Sequence, residues 1–420
     1  MTLVDQALLR SIALLRRAVL PEGFVASPVL GHYAGVWARD AAMACMGAAM
    51  SGEEDLLDAT EATLRSLAGL TGDRGQVPNA YWPERGYWDW GEAGVVDATP
   101  WFVLALVHYV ERTGRTALAG ELWPTVVRCM QWLAHRDTTG TRLVDSPAGG
   151  DWMDSSLNRS GRVFHVNVLA SWAASGAAGL GARLGLPTVQ SIAPVAAVHG
   201  LFWPAPGADL ADLQVDAAHP LGADLRFPHP LSSSEYGRLS RDDRRHFLAS
   251  VSYGKFVDRC DVLAHCLAIA GGVARGERAR IVLDYLDDTA CAEPFPSRTW
   301  PTPFEPGDPG GLLDEHADGL QDPRWRNPPG SYHNGAVWPY IGGVHAVAAA
   351  VAGRSDRAAQ LLEGVAAANR LGDPAWGFHE WIRVPDGSPG GARDQVWNAG
   401  AFVWAYRTIS DGTAASAAQV

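Results

Sequence analysis

The chain has 420 residues, of which 47% are hydrophobic and 19% charged, and its net charge is -12. A composition this apolar predicts one folded body with a large core and excludes a disordered chain. The acidic balance offers no basic stripe to neutralise phosphates, so it excludes a typical nucleic-acid-binding protein.

Segments without internal charges recur along the chain and alternate with helices that carry charge on one face only. A helix that is apolar on nearly all sides is typical of a buried position, whereas a one-sided helix packs on the outside. The uncharged helices are predicted at 41–51, 97–110, 163–182, 261–273, 335–352 and 395–407. The outer helices are predicted at 3–18, 54–70, 114–135, 275–287 and 354–371, the last with Ser355 as its N-cap.

The segment 185–246 departs from this pattern because prolines interrupt it repeatedly. One short helix near 187–199 is predicted within it, followed by an extended segment at 246–256. Six inner helices with outer partners predict an all-α (α/α)6 barrel, with long loops at the N-terminal ends of the inner helices. The barrel is expected to occupy 1–420 as a single catalytic domain, with 185–246 as an irregular insertion.

The cysteines and the N-terminus bear on the compartment. Five cysteines lie far apart, mostly in apolar helices and without a C-x-x-C pair, which predicts buried, reduced thiols. No basic segment leads into a cleavable apolar run at the start of the chain, so no signal peptide is predicted. The protein is therefore expected to be cytoplasmic, without a membrane span. No residue spacing predicts a metal or a cofactor.

Polar residues recur at the N-terminal ends of the inner helices or in the loops just before them. Inner helices that run the same way around a ring bring these ends to one mouth, where side chains and exposed N–H groups line a pocket. The residues concerned are Arg39, Asp40, Asp97, the segment from Asp154 to Gly161, Asp258, Asp261, His333, Asn334, Gln395 and Trp397.

The loop 149–161 contains the strongest candidates for chemistry. Asp151 and Asp154 lie three residues apart beside Trp152, after a pair of glycines. The nearby Asp151 and the apolar Trp152 and Met153 are expected to raise the pKa of Asp154, which suits a general acid. Asp151 stays open as the alternative acid.

Each of these features also has a simpler structural interpretation. Arg39 and Asp40 could form a surface ion pair, while Asp97 and His333 could cap helices. Tryptophans within helices are expected in the core, and tryptophans in loops are better placed to stack on a ligand. The first group is Trp101, Trp172 and Trp404, and the second is Trp82, Trp88, Trp152 and Trp376. The recurrence of polar residues at every inner helix is what favours a common site.

Five motifs in order carry a resemblance to a known family. They are Trp37-Ala38-Arg39-Asp40, Val96-Asp97-Ala98-Thr99-Pro100-Trp101, Asp151-Trp152-Met153-Asp154, Tyr332-His333-Asn334-Gly335 with Trp338-Pro339, and His379-Glu380-Trp381 with Gln395-Val396-Trp397. From Trp37 to Trp404, apart from 185–246, the chain resembles the six-hairpin glycosidases. Within them it is most similar to neutral/alkaline invertases, glucosylglycerate and mannosylglycerate hydrolases, and the catalytic domain of glycogen-debranching amylo-α-1,6-glucosidases.

The resemblance implies an inverting glycoside hydrolase with Asp154 as general acid and Glu380 as general base. It also implies that Arg39 and Asp40 hold distal hydroxyls of the sugar in the deepest subsite. Further contacts with the substrate are expected from Asp97, Asp151, Asn167, His333, Gln395, Trp37, Trp82, Trp152, Trp338, Trp376 and Trp397. An inverting enzyme keeps its two carboxyl groups about 6.5–9.5 Å apart, which leaves room for a water.

The expected substrate is a small α-glycoside, first of all an α-glucoside, cleaved from its end. This follows because the β-sandwich that many debranching-type relatives carry before the barrel has no counterpart in the sequence. The expected partner is thus a small carbohydrate, and neither nucleic acid nor a membrane.

Three alternatives remain at this point. A sugar epimerase or isomerase on the same barrel could use a pair of histidines from His165, His265, His333 and His379, although His265 lies in an apolar helix. In a disaccharide phosphorylase phosphate replaces the base, so a carboxylate at position 380 counts against it. A non-catalytic carbohydrate-binding relative is disfavoured because both carboxylates are intact.

Overall fold

The computed structural model describes residues 1–29, 31, 33–91, 94–154, 157, 159–206, 239–252, 256–305, 308 and 327–412. Twelve α-helices lie within these ranges. They are α1 Leu3–Arg17, α2 Ala38–Ser51, α3 Glu54–Leu70, α4 Ala98–Thr113, α5 Thr116–Ala134, α6 Phe164–Leu184, α7 Val195–Phe202, α8 Val262–Ala270, α9 Gly276–Asp288, α10 Pro339–Val351, α11 Ser355–Arg370 and α12 Val396–Ser410.

The even-numbered helices form a closed inner ring. Each of them contacts the next even-numbered helix along the chain, and α12 closes the ring by packing on α2. The odd-numbered helices pack outside this ring, for example α3 on α2 and α11 on both α10 and α12. The predicted (α/α)6 barrel is therefore confirmed.

The two rings differ in how much of each helix they bury. α2 buries nearly every side chain, including the charged Arg39 and Asp40, because its small residues let neighbours surround it. α11 buries a stripe that includes Ala358, Leu361 and Val365 and leaves the opposite face to solvent. These are the burial patterns expected of an enclosed helix and of a surface helix.

Short antiparallel strands occupy the loops around the inner helices. Strands of two or three residues form four sheets with the orders β1-β2, β3-β4-β5, β6-β7-β8-β9 and β10-β11. They are β1 Val19–Leu20, β2 Gly23–Phe24, β3 Val36–Trp37, β4 Ala80–Trp82, β5 Tyr87–Asp89, β6 Asp145–Ser146, β7 Gly161–Val163, β8 Ser250–Val251, β9 Phe256–Val257, β10 Trp381–Ile382 and β11 Pro389–Gly390. Trp37 pairs with Ala80 directly before α2, and Val163 pairs with Ser250 directly before α6. The strand pairing thus fixes where these two inner helices begin.

The predicted starts of α7 and α10 are wrong, and proline explains both. The short helix of the insertion begins at Val195 instead of 187, because Pro194 precedes it and the residue before a proline disfavours helical backbone. α10 begins at Pro339 instead of 335, since Trp338 is held in an extended conformation for the same reason.

Other sequence predictions have mixed outcomes. All five cysteines are buried and free of disulfides, as predicted. Ser355 is not a cap but the first residue of α11, and Arg354 takes the N-cap position without a side-chain hydrogen bond. The predicted extended segment 246–256 contains β8 and the start of β9, while its residues 253–255, like 207–238 of the insertion, lie outside the described ranges.

No helix in the described part of the chain is both long enough and apolar enough to cross a membrane. In the same part of the chain, no group of three or more His, Cys, Asp or Glu side chains is arranged to hold a metal ion.

The ring closes through a contact between two glycines, Gly47 in α2 and Gly400 in α12. A Cβ at position 400 would lie 2.3 Å from the backbone oxygen of Met43, and a Cβ at position 47 would lie 2.4 Å from the backbone oxygen of Gly400. Glycine at both positions is what lets the two helix backbones approach so closely.

Replacing Gly400 by alanine should lower the free energy of unfolding by about 1–3 kcal/mol, because the added methyl group forces α2 and α12 apart. Urea unfolding followed by circular dichroism measures this change. Gly120→Ala is the matched control, since a Cβ there has no neighbour within 4 Å on the exposed face of α5. It should raise the free energy of unfolding by about 0.5–1 kcal/mol. Equal effects of the two substitutions would contradict the close contact.

Candidate active site

The N-terminal ends of the inner helices meet at one mouth of the barrel. Arg39, in the first turn of α2, donates a 3.1 Å hydrogen bond from Nη1 to Asp97 Oδ1. Asp97 is the N-cap residue of α4, and its Oδ2 accepts a 3.0 Å hydrogen bond from the backbone N–H of Trp152. Burial alone would raise the pKa of Asp97, but Arg39 and His165 hold it below its usual range. Asp97 therefore links three parts of the rim and makes no capping bond to its own helix.

A buried ion triad ties the loop before α6 to the start of α8. Arg159 donates from Nε to Asp151 Oδ2 at 2.9 Å, and its Nη1 bonds Asp261, the N-cap residue of α8. All three side chains are at most 1% exposed. Asp151 also accepts from the backbone N–H of Met153 at 2.8 Å, and Asp261 accepts from that of Ala264 at 3.1 Å. Both carboxylates therefore have one cationic partner and one backbone partner.

Of the two loop carboxylates, Asp154 is the one that reaches the cleft. Its side chain is 43% exposed, and Arg39 Nη2 lies 3.6 Å from its Oδ2. Desolvation in the cleft raises the pKa of Asp154 to about 6, with help from the charges of Asp151 and Asp97 and against the charge of Arg39. Asp151 is enclosed in the ion triad, so it is poorly placed to give a proton to a ligand.

Glu380 lies in the loop between α11 and α12 and is 5% exposed. Its Oε1 accepts a 2.9 Å hydrogen bond from the Tyr33 hydroxyl, and its Oε2 accepts a 3.0 Å bond from the backbone N–H of Ala392. Burial raises the pKa of Glu380 and the negative charge of Asp154 adds to this, while the two hydrogen bonds oppose it. The carboxyl groups of Glu380 and Asp154 thus lie within electrostatic range of each other.

Trp152 is the centre of an aromatic cluster at the mouth. Its ring lies edge to face with those of His333, Trp338 and Tyr340, at centroid distances of 5.1, 5.3 and 5.8 Å. Tyr340 in turn stacks on Trp397 at 4.4 Å. His333 and Trp338 are each 1% exposed, so they support Trp152 from within the protein.

A small cavity of about 10 Å³ lies inside the ring, next to these aromatic residues. It is lined by Arg39, Met43, Trp101, Trp152, His165, Leu263, Tyr340 and Trp397. All six inner helices contribute to this wall. Trp101, which the sequence places in the core, is buried and also lines the cavity.

Trp37 and Trp82 lie on the Glu380 side of the mouth. The ring centroid of Trp37 is 5.6 Å from that of Tyr33 and 5.6 Å from that of Trp82. Since Tyr33 bonds Glu380, these rings border the second carboxylate. Trp376 is partly buried in the loop that carries Glu380.

Several buried polar atoms at this mouth have no hydrogen-bond partner in the described part of the chain. They are Oδ1 of Asp40, both amide atoms of Gln395, and the Nε1 atoms of Trp152 and Trp397. Burial raises the pKa of Asp40 to about 7, against the opposing charge of Arg39. A buried polar atom without a hydrogen bond is costly, so a polar ligand that satisfies these atoms would be stabilised.

Two residues that the sequence assigns to this mouth are used inside the protein. Asn167 accepts from the backbone N–H of Val144 at 2.8 Å and donates to the carbonyls of Val144 and Val163 at 3.0 and 2.9 Å. Its amide therefore fastens the preceding loop to α6, in place of the sugar contact that was predicted. Asp258 is ion-paired with Arg244 at 2.9 Å.

Tyr33 and Tyr340 are missing from the sequence prediction of the site. Arg159 lies in the predicted loop 149–161, but its pairing with Asp151 and Asp261 was not predicted. Arg159 leaves a signal, because it follows Asp151 closely and buried carboxylates need a cation. No local sequence pattern indicates the role of Tyr33, since 347 positions separate it from Glu380, to which its hydroxyl donates a hydrogen bond.

Comparison with solved structures identifies the fold. A GH63 mannosylglycerate hydrolase from Thermus thermophilus aligns over 95% of this chain and 99% of its own, with a TM-score of 0.64 and 14% identity. The chain shares the (α/α)6-barrel fold of this hydrolase. Hormoconis resinae glucoamylase aligns over 97% of this chain and 73% of its own, with a TM-score of 0.59 and 12% identity. A GH78 rhamnosidase of a Bacillus species aligns over 97% and 35%, with a TM-score of 0.56 and 16% identity. No family model and no curated protein sequence matches the chain.

Replacing Arg159 by leucine should lower the free energy of unfolding by about 3–5 kcal/mol, because it leaves the carboxylates of Asp151 and Asp261 buried without a cation. Urea unfolding at pH 7 measures the loss. Arg65→Leu is the matched control, since it removes an exposed arginine that pairs with two surface glutamates. It should change the free energy of unfolding by less than about 1 kcal/mol. A loss as small as this for Arg159→Leu would show that the triad does not hold the loop.

Proposed function

We propose that this protein is an inverting glycoside hydrolase in which Asp154 is the general acid and Glu380 the general base. The observation that carries the proposal is a pair of carboxyl groups in different environments at one mouth of the barrel. Asp154 is exposed to the cleft with a pKa raised to about 6, whereas Glu380 is buried and held by two hydrogen bonds. Inverting hydrolysis needs one carboxyl group to protonate the leaving oxygen and another to activate a water on the opposite face.

Asp154 has the properties of a proton donor. With a pKa of about 6, much of its carboxyl group stays protonated in weakly acidic solution. Its exposed side chain is accessible to the glycosidic oxygen of an entering substrate. Arg39, at 3.6 Å, stabilises the carboxylate that remains after the proton has left.

Glu380 has the properties of a base that positions a water. Tyr33 and the Ala392 N–H each donate to a different oxygen, which fixes the plane of the carboxylate. Each oxygen keeps capacity to accept a further hydrogen bond, as from an attacking water. Because these two hydrogen bonds favour the ionised form, they work against the effect of burial and keep the base available.

The sugar is proposed to bind at the mouth of the barrel, next to the small cavity inside the ring. Asp40 Oδ1 can accept from a hydroxyl group, and the Gln395 amide can both donate and accept. Trp152 and Trp397 offer indole N–H groups and apolar faces. A site that hydrogen-bonds a hydroxyl group discriminates strongly against a sugar that lacks it, because its buried polar atoms are then left unpaired.

The aromatic side chains around the mouth support a small substrate. Trp37, Trp82 and Trp152 border it, which favours one sugar ring over a chain, so we infer cleavage of a short α-glycoside from its end. Two proteins with the same fold are a mannosylglycerate hydrolase and a glucoamylase. Mannosides and glucosides are therefore the first substrates to test, with an α-glucoside as the leading candidate.

An epimerase that relies on histidines receives less support. Burial lowers the pKa of His333 to about 3 and that of His265 to about 4, so both are neutral near pH 7. His265 is in addition bonded to the backbone of Asp261 and Phe247 inside the core. A histidine that exchanges protons with a substrate needs a pKa near the working pH.

Glucosylglycerate, mannosylglycerate, sucrose, trehalose and isomaltose form the first screen. At least one of them should be hydrolysed, and proton NMR at early times should show the anomer with inverted configuration, because water attacks directly. With that substrate, Asp154→Asn and Glu380→Gln should each lower kcat at least about a hundredfold while the fold stays intact.

Asp356→Asn and Glu363→Gln serve as controls, since both remove exposed carboxylates from the outer helix α11, and they should keep full activity. Near wild-type kcat in Asp154→Asn or Glu380→Gln would show that the role of that residue is wrong. A retained anomer would exclude inversion, and interconversion of free sugars without hydrolysis would favour an epimerase. Comparable kcat/KM on isomaltose and on a branched limit dextrin would rule out the small-substrate site.

The pH profile of kcat/KM should be bell-shaped, because activity needs protonated Asp154 and ionised Glu380. Activity should fall as the pH rises through about 6, where Asp154 loses its proton, and should fall at low pH as Glu380 gains one. Tyr33→Phe removes a hydrogen bond that lowers the pKa of Glu380, so the acidic limb should move to higher pH. Tyr406→Phe, on the C-terminal half of α12, should leave both limbs in place. An unmoved acidic limb in Tyr33→Phe would disprove the coupling.

A further inference from the structure

A second cavity lies among the C-terminal ends of the inner helices, at the opposite end of the barrel from Asp154. Its volume is about 430 Å³, compared with about 10 Å³ for the cavity inside the ring at the mouth. In α4, Trp101 lines the cavity at the mouth and His108 lines the second one. The seven helical positions between them correspond to roughly 10 Å, so the two cavities are separate compartments.

One short inner helix leaves space for this cavity. α8 spans 9 residues, whereas the other inner helices span 13 to 21. It ends at Ala270, which lies in the cavity wall. A Cβ on the next residue, Gly271, would come within 2.6 Å of the Trp172 ring. The early end of α8 and the glycine after it therefore let Trp172 lie across the end of that helix.

Apolar side chains form much of the cavity wall. Trp172 stacks with Trp404, with ring centroids 6.3 Å apart and 29° between the ring planes. Val107, Leu180 and Val347 add aliphatic surface from α4, α6 and α10. A wall of this kind favours the apolar body of a ligand, because binding removes both surfaces from water.

His108 adds a hydrogen-bond acceptor to this wall. Its ring bonds the backbone of Met46, while its Nε2 is buried and has no hydrogen-bond partner in the described part of the chain. Because the backbone carbonyl takes the N–H of the neutral ring, Nε2 carries the lone pair and accepts a hydrogen bond. A ligand in this cavity therefore needs a donor at that point.

The charges around the cavity favour an anion. Glu111 is ion-paired with Arg183, and the distance from Arg183 Nη2 to Glu111 Oε1 is 3.0 Å. Arg112 lines the cavity four positions after His108 and has no carboxylate at ion-pair distance among the described residues. The net charge of the chain is -12, so its overall field disfavours anions. Arg112 supplies a local positive charge that an anion can bind.

We propose that this cavity is a binding site for an amphipathic anion. The ligand has an apolar ring system that packs along Trp172 and Trp404, a hydrogen-bond donor for His108 Nε2, and an acidic group for Arg112. The site uses none of the residues at the mouth that carry the proposed hydrolysis. It can therefore be tested whether or not the chain cleaves glycosides.

The probe is 8-anilinonaphthalene-1-sulfonate, which combines aromatic rings, one N–H donor and a sulfonate. Titration of the full chain should show one dye bound per molecule with enhanced dye fluorescence. Arg112→Met should weaken dye binding at least about tenfold, because it removes the charged partner of the sulfonate. N-phenyl-1-naphthylamine, which lacks the sulfonate, should bind this variant and the wild type equally.

Two further variants make the test decisive. Arg10→Met removes an exposed arginine on α1 and should leave dye affinity unchanged. Val351→Trp should fill the cavity from the end of α10 and abolish binding of both dyes, with an unchanged circular dichroism spectrum. If Val351→Trp fails to fold, the dye affinities of Arg112→Met and Arg10→Met still test the proposal. Equal dye affinity in those two variants, or several equivalent dye sites per molecule, would overturn the proposal.

Discussion

The mouth of this barrel depends on charges that are buried and therefore have to be paired. Arg39 and Arg159 lie almost entirely out of water, and both are bound by carboxylates from other parts of the ring. Through Asp97, Asp151 and Asp261 they connect the starts of α2, α4 and α8 with the loop before α6. Breaking one buried pair leaves a charge without a partner at a cost of several kcal/mol, so the ion pairs dictate where these loops lie.

The same pairing separates two carboxyl groups that are chemically identical and close in sequence. Asp151 is enclosed by Arg159 and the Met153 N–H, whereas Asp154 keeps one distant arginine and an open side. Only the second can change its protonation state in contact with a ligand. The difference arises from the direction of each side chain and not from the type of residue. One carboxyl group of the loop is enclosed in the ion triad, and the other is open to the cleft.

The helices of this protein are largely predictable from sequence, because charge patterning reports directly on which side of a helix meets water. The starts of α7 and α10 are harder, since Pro194 and Pro339 override an apolar pattern that continues through them. The site is predictable only in part. The sequence does not distinguish an asparagine whose amide binds a ligand from one, such as Asn167, whose amide hydrogen-bonds the backbone. The hydrogen bond between Tyr33 and Glu380 joins two segments that are far apart in the sequence, so no local pattern predicts it.

The contact between Gly47 and Gly400 also has a consequence for synthesis of the chain. It joins the first and the last inner helix, so the ring cannot close before α12 has been synthesised and has left the ribosome. Until then α2 and α10 each lack the neighbour that covers one apolar side. Contacts so distant in sequence slow folding, and exposed apolar surface promotes aggregation in the meantime. A growing chain of this protein is thus most exposed to misassembly immediately before α12 emerges.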